Sequence, residues 1–159
     1  PSAFYIELTD QRTFPPRRMA IVRKEKNIVF LDWTSETIIA LNKKMSLKLT
    51  EKNLSDYVRF FFENTRGDKG QYTLVESVDD IPWHDDPPLG ARRSLAKLIE
   101  PLHILERPAD KSWLLSACFL YKSALFKTEV SLKKDGLLDL KRQALLAEEM
   151  PVLDSVFGT

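Results

Sequence analysis

The chain has 159 residues, 18.4 kDa, 43% apolar side chains and 24 basic against 23 acidic groups. Globular scaling gives roughly 8,200 Å² of surface when folded against about 27,000 Å² when open, enough burial for one ordinary core without staples. A formal charge of +1, five glycines and nine prolines exclude polybasic chromatin-coating, collagen-like and low-complexity classes, and the apolar content excludes a disordered chain.

Along the chain, Phe4 to Leu8 is aromatic and β-branched enough for a short strand. Met19 to Val22 and Asn27 to Trp33 predict two strands joined by the polar Arg23-Lys24-Glu25-Lys26 link, a hairpin with a basic tip. Ser35 to Met45 places Ile38, Leu41 and Met45 on one helical face, with Thr34 or Ser35 as cap.

The clearest element runs from Thr50 to Arg66. Thr50 caps it, Glu51 meets the positive end of the helix dipole, and Leu54, Tyr57, Val58 and Phe61 recur at i, i+3, i+4 and i+7. Phe60 and Phe62 widen this surface, so the helix either packs on two neighbours inside the domain or leaves an aromatic face for another subunit. Gly67 stands where a left-handed helix stop belongs.

Beyond it, Gln71 to Val78 predicts a strand, and Ala91 to Glu100 a second helix stopped by Pro101. Trp113 to Tyr121 predicts an apolar central strand. Phe126 to Lys133 alternates, and Asp135-Gly136 signals a turn before Leu137 to Lys141. Arg142 to Met150 predicts a terminal helix ended by Pro151. These elements lack regular βα alternation. The expected fold is therefore α+β: a single domain spanning 1–159, with an antiparallel sheet of about five or six strands and two or three helices packed on one face.

Cys118 is the only cysteine and lies in an apolar run with no cation beside it, which predicts a buried, inert thiol and a reducing compartment, cytoplasmic by default. Pro1 to Arg18 lacks the order of a secretory signal, and no apolar run reaches membrane-spanning length, so no membrane partner is expected.

Three places could carry chemistry. Trp83-His84-Asp85-Asp86 could hold a general base or a hydrolase-type site at His84 with Asp85 or Asp86, because imidazole titrates near neutrality. The simpler reading makes Asp86 the cap of the next helix with Pro87 at its first position, while Asp79 and Asp80 fix turns. Two histidines and one cysteine are too few for a catalytic zinc site, so no metal is expected.

Arg66-Gly67-Asp68-Lys69-Gly70 could let the backbone approach a phosphate, with Arg66 and Lys69 adding charge, so Arg66 and Lys69, and separately Trp83 and His84, are candidate ligand contacts. Asp68 opposes this, and a helix stop followed by a tight turn is the simpler reading. Thirdly, Arg17, Arg18, Arg23, Lys24, Lys26, Lys43, Lys44 and Lys48 could form a nucleic-acid patch with Trp33 and Phe30 as stacking rings. Residues 1–69 carry 13 basic against 9 acidic groups, which keeps that alternative open, although Glu25, Asp32 and Glu36 interrupt the run.

No phosphate loop, dinucleotide fingerprint, zinc-protease helix or nucleophile elbow is present, and no cofactor is expected. The leading expectation is a non-enzymatic interaction domain that self-associates or holds a protein partner through a sheet face or an aromatic helix face. A nucleic-acid-binding accessory protein and a hydrolase-type enzyme are the alternatives.

Overall fold

A computed structural model describes residues 3–13, 17–66, 70–85, 87–107 and 112–153. The predicted positions Gly67, Asp68, Lys69 and Asp86 lie outside them.

The first three strands, β1 (Phe4–Asp10), β2 (Arg17–Lys24) and β3 (Asn27–Leu31), form an antiparallel sheet in chain order. Only Glu25 and Lys26 separate β2 from β3, and Glu25 adopts a φ of 55° to close that tight turn. The chain then turns at Trp33, whose φ is 67°, and enters α1 (Ser35–Met45). The Thr34 hydroxyl accepts the Thr37 N–H, as a helix cap should, and Ser46 closes the other end in the left-handed conformation. Ile38 and Leu41 are buried, as their spacing predicts.

The second helix begins with a 3-10 turn at Glu51–Asn53 and continues as α2 (Leu54–Glu63). Leu54, Tyr57, Val58 and Phe61 are all buried. It ends three residues before the predicted Arg66, and side chains explain why. Asn64 Nδ2 donates to the Phe60 carbonyl (2.8 Å), and Thr65 Oγ1 donates to that of Phe61 (2.8 Å). Gln71 Nε2 donates to the Phe62 and Glu63 carbonyls (3.0 and 3.1 Å). The last four carbonyls, which have no partner inside the helix, are thus all satisfied.

A second antiparallel sheet is built on β6 (Trp113–Tyr121), the predicted central strand. Two short strands, β4 (Tyr72–Val75) and β5 (His103–Glu106), share one side of it; β7 (Ala124–Leu132) and then β8 (Leu138–Ala147) lie on the other. β4 stops early because the Asp80 carboxylate accepts the N–H groups of Glu76 and Ser77 (2.8 Å each), pulling the chain into a 3-10 turn at Val78–Asp80. Asp80 therefore fixes a turn, as expected.

Two predictions are corrected. Residues 142–147 are not helical: they extend β8, which runs ten residues along β7 with two register shifts. Helix-forming residues such as Ala144, Leu145 and Leu146 yield there to the open edge of β7, because local propensity is worth less than a completed ladder. The third helix, α3, spans Leu89–Ala96 rather than 91–100, and its N-cap is Pro88, which offers no side-chain cap. Pro87 thus precedes the helix instead of opening it.

The fold is α+β, with three helices and sheets of three and five strands. α1 and α2 lie between the sheets. Ala20, Val22 and Leu31 from the small sheet and Leu115, Phe119, Val130 and Leu132 from the large one share one buried cluster with both helices. Phe62 meets Phe119 with ring centroids 4.6 Å apart, while Phe60 meets Tyr5 edge-on at 5.8 Å. The opposite face of the large sheet carries a smaller cluster around Val75, Cys118, Leu120 and Leu125, to which Leu95 of α3 contributes. No helix among the described residues is long and apolar enough to cross a membrane.

A polar knot joins α1, α2 and the β7–β8 turn. The Tyr57 hydroxyl donates to the Gly136 carbonyl (2.7 Å), and Asn42 Nδ2 donates to that hydroxyl (2.7 Å) and to the Asp135 carbonyl (2.9 Å). Burial pushes the Tyr57 phenol up to about 12. Gly136 sits at φ 88°, where a Cβ would overlap the Tyr57 hydroxyl. Glycine is required here both for its conformation and for its lack of a side chain.

Candidate functional site

The register of the small sheet sorts its side chains onto two faces. Tyr5, Ala20, Val22, Val29 and Leu31 point toward the helices. The other face is also apolar. Its rows are Phe4 with Arg23 and Ile28, then Ile6 with Ile21 and Phe30, then Leu8 with Met19, and finally Asp10 with Arg17. Nothing among the described residues covers it: Phe4 and Phe30 are each 62% exposed, Leu8 53%, Ile28 52% and Met19 47%. With about 180 Å² for each fully exposed side chain, these five present roughly 500 Å² of contiguous apolar surface. That is at the upper end for the largest apolar patch on a typical monomer, about 300–600 Å². One edge of the face carries Arg23 near Glu25, and the other carries Arg17 opposite Asp10, whose carboxylate Arg12 also holds.

At the Arg17 end of this sheet lies a cleft of about 840 Å³. Arg12, Arg17, Arg18 and Arg66 line it with Trp33 and a single carboxylate, Asp10. Arg12 holds Asp10 with a two-pronged contact, Nε to Oδ1 and Nη2 to Oδ2, each 2.9 Å, which keeps that carboxyl below its usual range. Arg18 is ion-paired with Glu7. The Arg66 guanidinium lies 4.3 Å from the centre of the Trp33 ring and that of Arg18 5.8 Å from it, both within cation–π range. Trp33 is held in place by the Arg66 N–H, which donates to its carbonyl (2.9 Å). Burial, and then the charge of Arg18, draw the Arg66 guanidinium below its usual pKa.

The predicted basic residues therefore divide. Arg17 and Arg18 join Arg66, a residue from a different predicted site, around Trp33. Arg23 and Lys24 lie at the other end of β2, about 20 Å away at the usual strand rise, with Lys26 in the adjacent turn. Lys43 and Lys44 occupy the last turn of α1, with Lys48 beyond it. Phe30 lies on the outer face of the sheet and Trp33 in the cleft, so these rings do not form one stacking platform.

His84 Nδ1 and Asp85 Oδ2 lie within hydrogen-bond distance at 2.8 Å, with both side chains largely exposed. Trp83 turns inward, packing on the smaller cluster and donating from Nε1 to the Val78 carbonyl (3.3 Å). It is a wall of the fold rather than a partner of His84. No group of three or more His, Cys, Asp or Glu side chains able to hold a metal ion occurs among the described residues. Cys118 is buried, and burial raises its thiol.

The aromatic face of α2 is consumed internally, since Phe61 and Phe62 pack toward the large sheet and Phe60 toward Tyr5. The outer face of the small sheet was the missed feature. Its signal is the i, i+2 run of Phe4, Ile6 and Leu8, repeated by Met19 with Ile21 and by Ile28 with Phe30. Comparisons with protein-family models, with curated proteins and with solved structures find no match.

Proposed function

We propose that this chain is an interaction domain that works by holding another protein surface rather than by turning over a substrate, and that the surface it holds is a second copy of itself. The observation that carries this reading is the uncovered outer face of β1–β2–β3, with both phenylalanines, Phe4 and Phe30, nearly two-thirds exposed. Two such faces in contact bury roughly 1,000 Å² before any rim residue is counted, which reaches the size of a specific interface. Face-to-face packing of two sheets about 10 Å apart would interdigitate the Phe4 row and the Ile6–Ile21–Phe30 row with their counterparts. A cytoplasmic setting fits the single buried cysteine.

Light scattering at micromolar concentration tests the proposal. The expected mass is twice 18.4 kDa; a mass of 18.4 kDa across that range overturns it.

A further inference from the structure

Lysines from distant segments meet at one end of the molecule, away from the outer face of β1–β2–β3. The last turn of α1 carries Lys43 and Lys44, the chain beyond it Lys48, the 3-10 turn before α2 Lys52, and the β7–β8 turn Lys133 and Lys134. Short hydrogen bonds hold these segments against one another: Asn42 Nδ2 to the Asp135 carbonyl (2.9 Å), the Leu47 N–H to the Asn42 carbonyl (2.9 Å), and Asn53 Nδ2 to the Lys48 carbonyl (3.0 Å). All six lysines are exposed, and none forms an ion pair among the described residues. The carboxylates nearby in the chain are Glu51, which Arg107 already holds, and Asp56 and Asp135. A surplus of positive charge is left. Lys43 and Lys44 complement the negative end of the α1 dipole, but the other four have no such role.

We propose that this lysine cluster docks the phosphate backbone of double-stranded nucleic acid without reading its sequence. What surrounds the lysines favours that partner. No large apolar side chain stands exposed among them, because Met45, Leu47 and Leu49 pack on the main core. A membrane surface or a protein partner relies on such an anchor. Tyr57, which bonds Asn42, and Trp113, which pairs with Leu132, are likewise packed inward, so the unpaired bases of a single strand find no ring to stack on. A duplex asks only for cations placed along its phosphates, and lysine supplies them as point charges on flexible stems.

Fluorescence anisotropy of the full chain with a labelled DNA duplex of about 20 base pairs, in about 50 mM salt, tests this. A single strand of the same length, polyglutamate and phosphatidylserine vesicles serve as the competing partners. The expected result is saturable binding whose logarithm falls against the logarithm of salt concentration with a slope of about −4 to −5, as the lysines displace counterions. Lys44→Gln and Lys134→Gln, both at exposed positions, are each expected to weaken binding about threefold and to reduce that slope by about one, while unfolding at the wild-type temperature. Lys122→Gln removes the same charge beyond the far end of β7, about 30 Å from Lys133 at the usual strand rise, and should leave binding unchanged within about 1.5-fold. Absence of saturation up to about 100 µM protein, a slope near zero, or equal weakening by Lys122→Gln and Lys134→Gln overturns the proposal. Tighter binding of the single strand, polyglutamate or the vesicles overturns it in favour of that partner.

Discussion

Replacing Gly136 by alanine strikes the point where α1, α2 and the β7–β8 turn meet. Two costs arise. At φ 88° an L-residue is held in the left-handed half of backbone space, a penalty of about 1–2 kcal/mol. The new Cβ also overlaps the Tyr57 hydroxyl and lies 2.8 Å from the ring carbon that bears it, so the ring must withdraw. That breaks the buried bonds from Tyr57 to the Gly136 carbonyl and from Asn42 to Tyr57, and groups left unsatisfied cost about 1–3 kcal/mol. The sum is about 2–5 kcal/mol, or a fall in Tm of about 4–20 °C for a chain of this length. Urea and thermal unfolding of Gly136→Ala, Tyr57→Phe and the double variant measure it. Because both substitutions break the same bonds, their effects should fall short of additivity by about 1 kcal/mol or more. A Gly136→Ala protein within about 0.5 kcal/mol of wild type, or strictly additive costs, refutes the reasoning.

Tyr57 also predicts an alkaline transition. Its folded pKa, about 12, lies above the ordinary 10.0, so the folded state retains a proton that the unfolded chain releases. This contribution to stability is complete below pH 10 and is lost as pH rises toward 12; Tyr57→Phe should flatten that part of the stability profile measured by urea titration. Asn64 is fully buried, donates to the Phe60 carbonyl and accepts the Tyr5 hydroxyl (3.1 Å), so Asn64→Ala should cost about 1–3 kcal/mol in urea unfolding; a smaller loss would show that water replaces it. Cys118 should resist a thiol reagent in the native protein and react with one equivalent in denaturant, since burial both shields it and raises its pKa; rapid native labelling contradicts its placement.

Local periodicity made α1 and the buried stripe of α2 legible in the sequence, because Ile38 and Leu41, and Leu54, Tyr57, Val58 and Phe61, each mark a single face. Alternation and a turn signal did the same for β7 and for the start of β8. What escaped was decided by distant partners. β5 is four residues long and carries no alternation of its own; it exists because β6 has room beside β4. The second half of β8 has helix-forming residues and becomes extended only because β7 presents an unpaired edge. The cleft escaped for the same reason. Arg17 and Arg18 lie nearly fifty residues before Arg66, and only the β3–α1 turn at Trp33 and the end of α2 bring them together. The outer face of the small sheet was readable in part: Phe4, Ile6 and Leu8 alternate, but Tyr5 between them is apolar too. Which side faces water depends on packing against Phe60.

The central claim is that the uncovered face of β1–β2–β3 is where this protein meets a copy of itself. Sedimentation equilibrium of three proteins tests it most directly: the wild type, Phe30→Asp in the middle row of that face, and Leu145→Asp, also exposed but on β8 of the other sheet. Burying an unpaired carboxylate in an apolar interface should weaken the dimer about 100-fold or more, leaving Phe30→Asp monomeric at micromolar concentration while Leu145→Asp dimerises like the wild type. Equal dimerisation of Phe30→Asp and the wild type, or dissociation caused only by Leu145→Asp, contradicts the account.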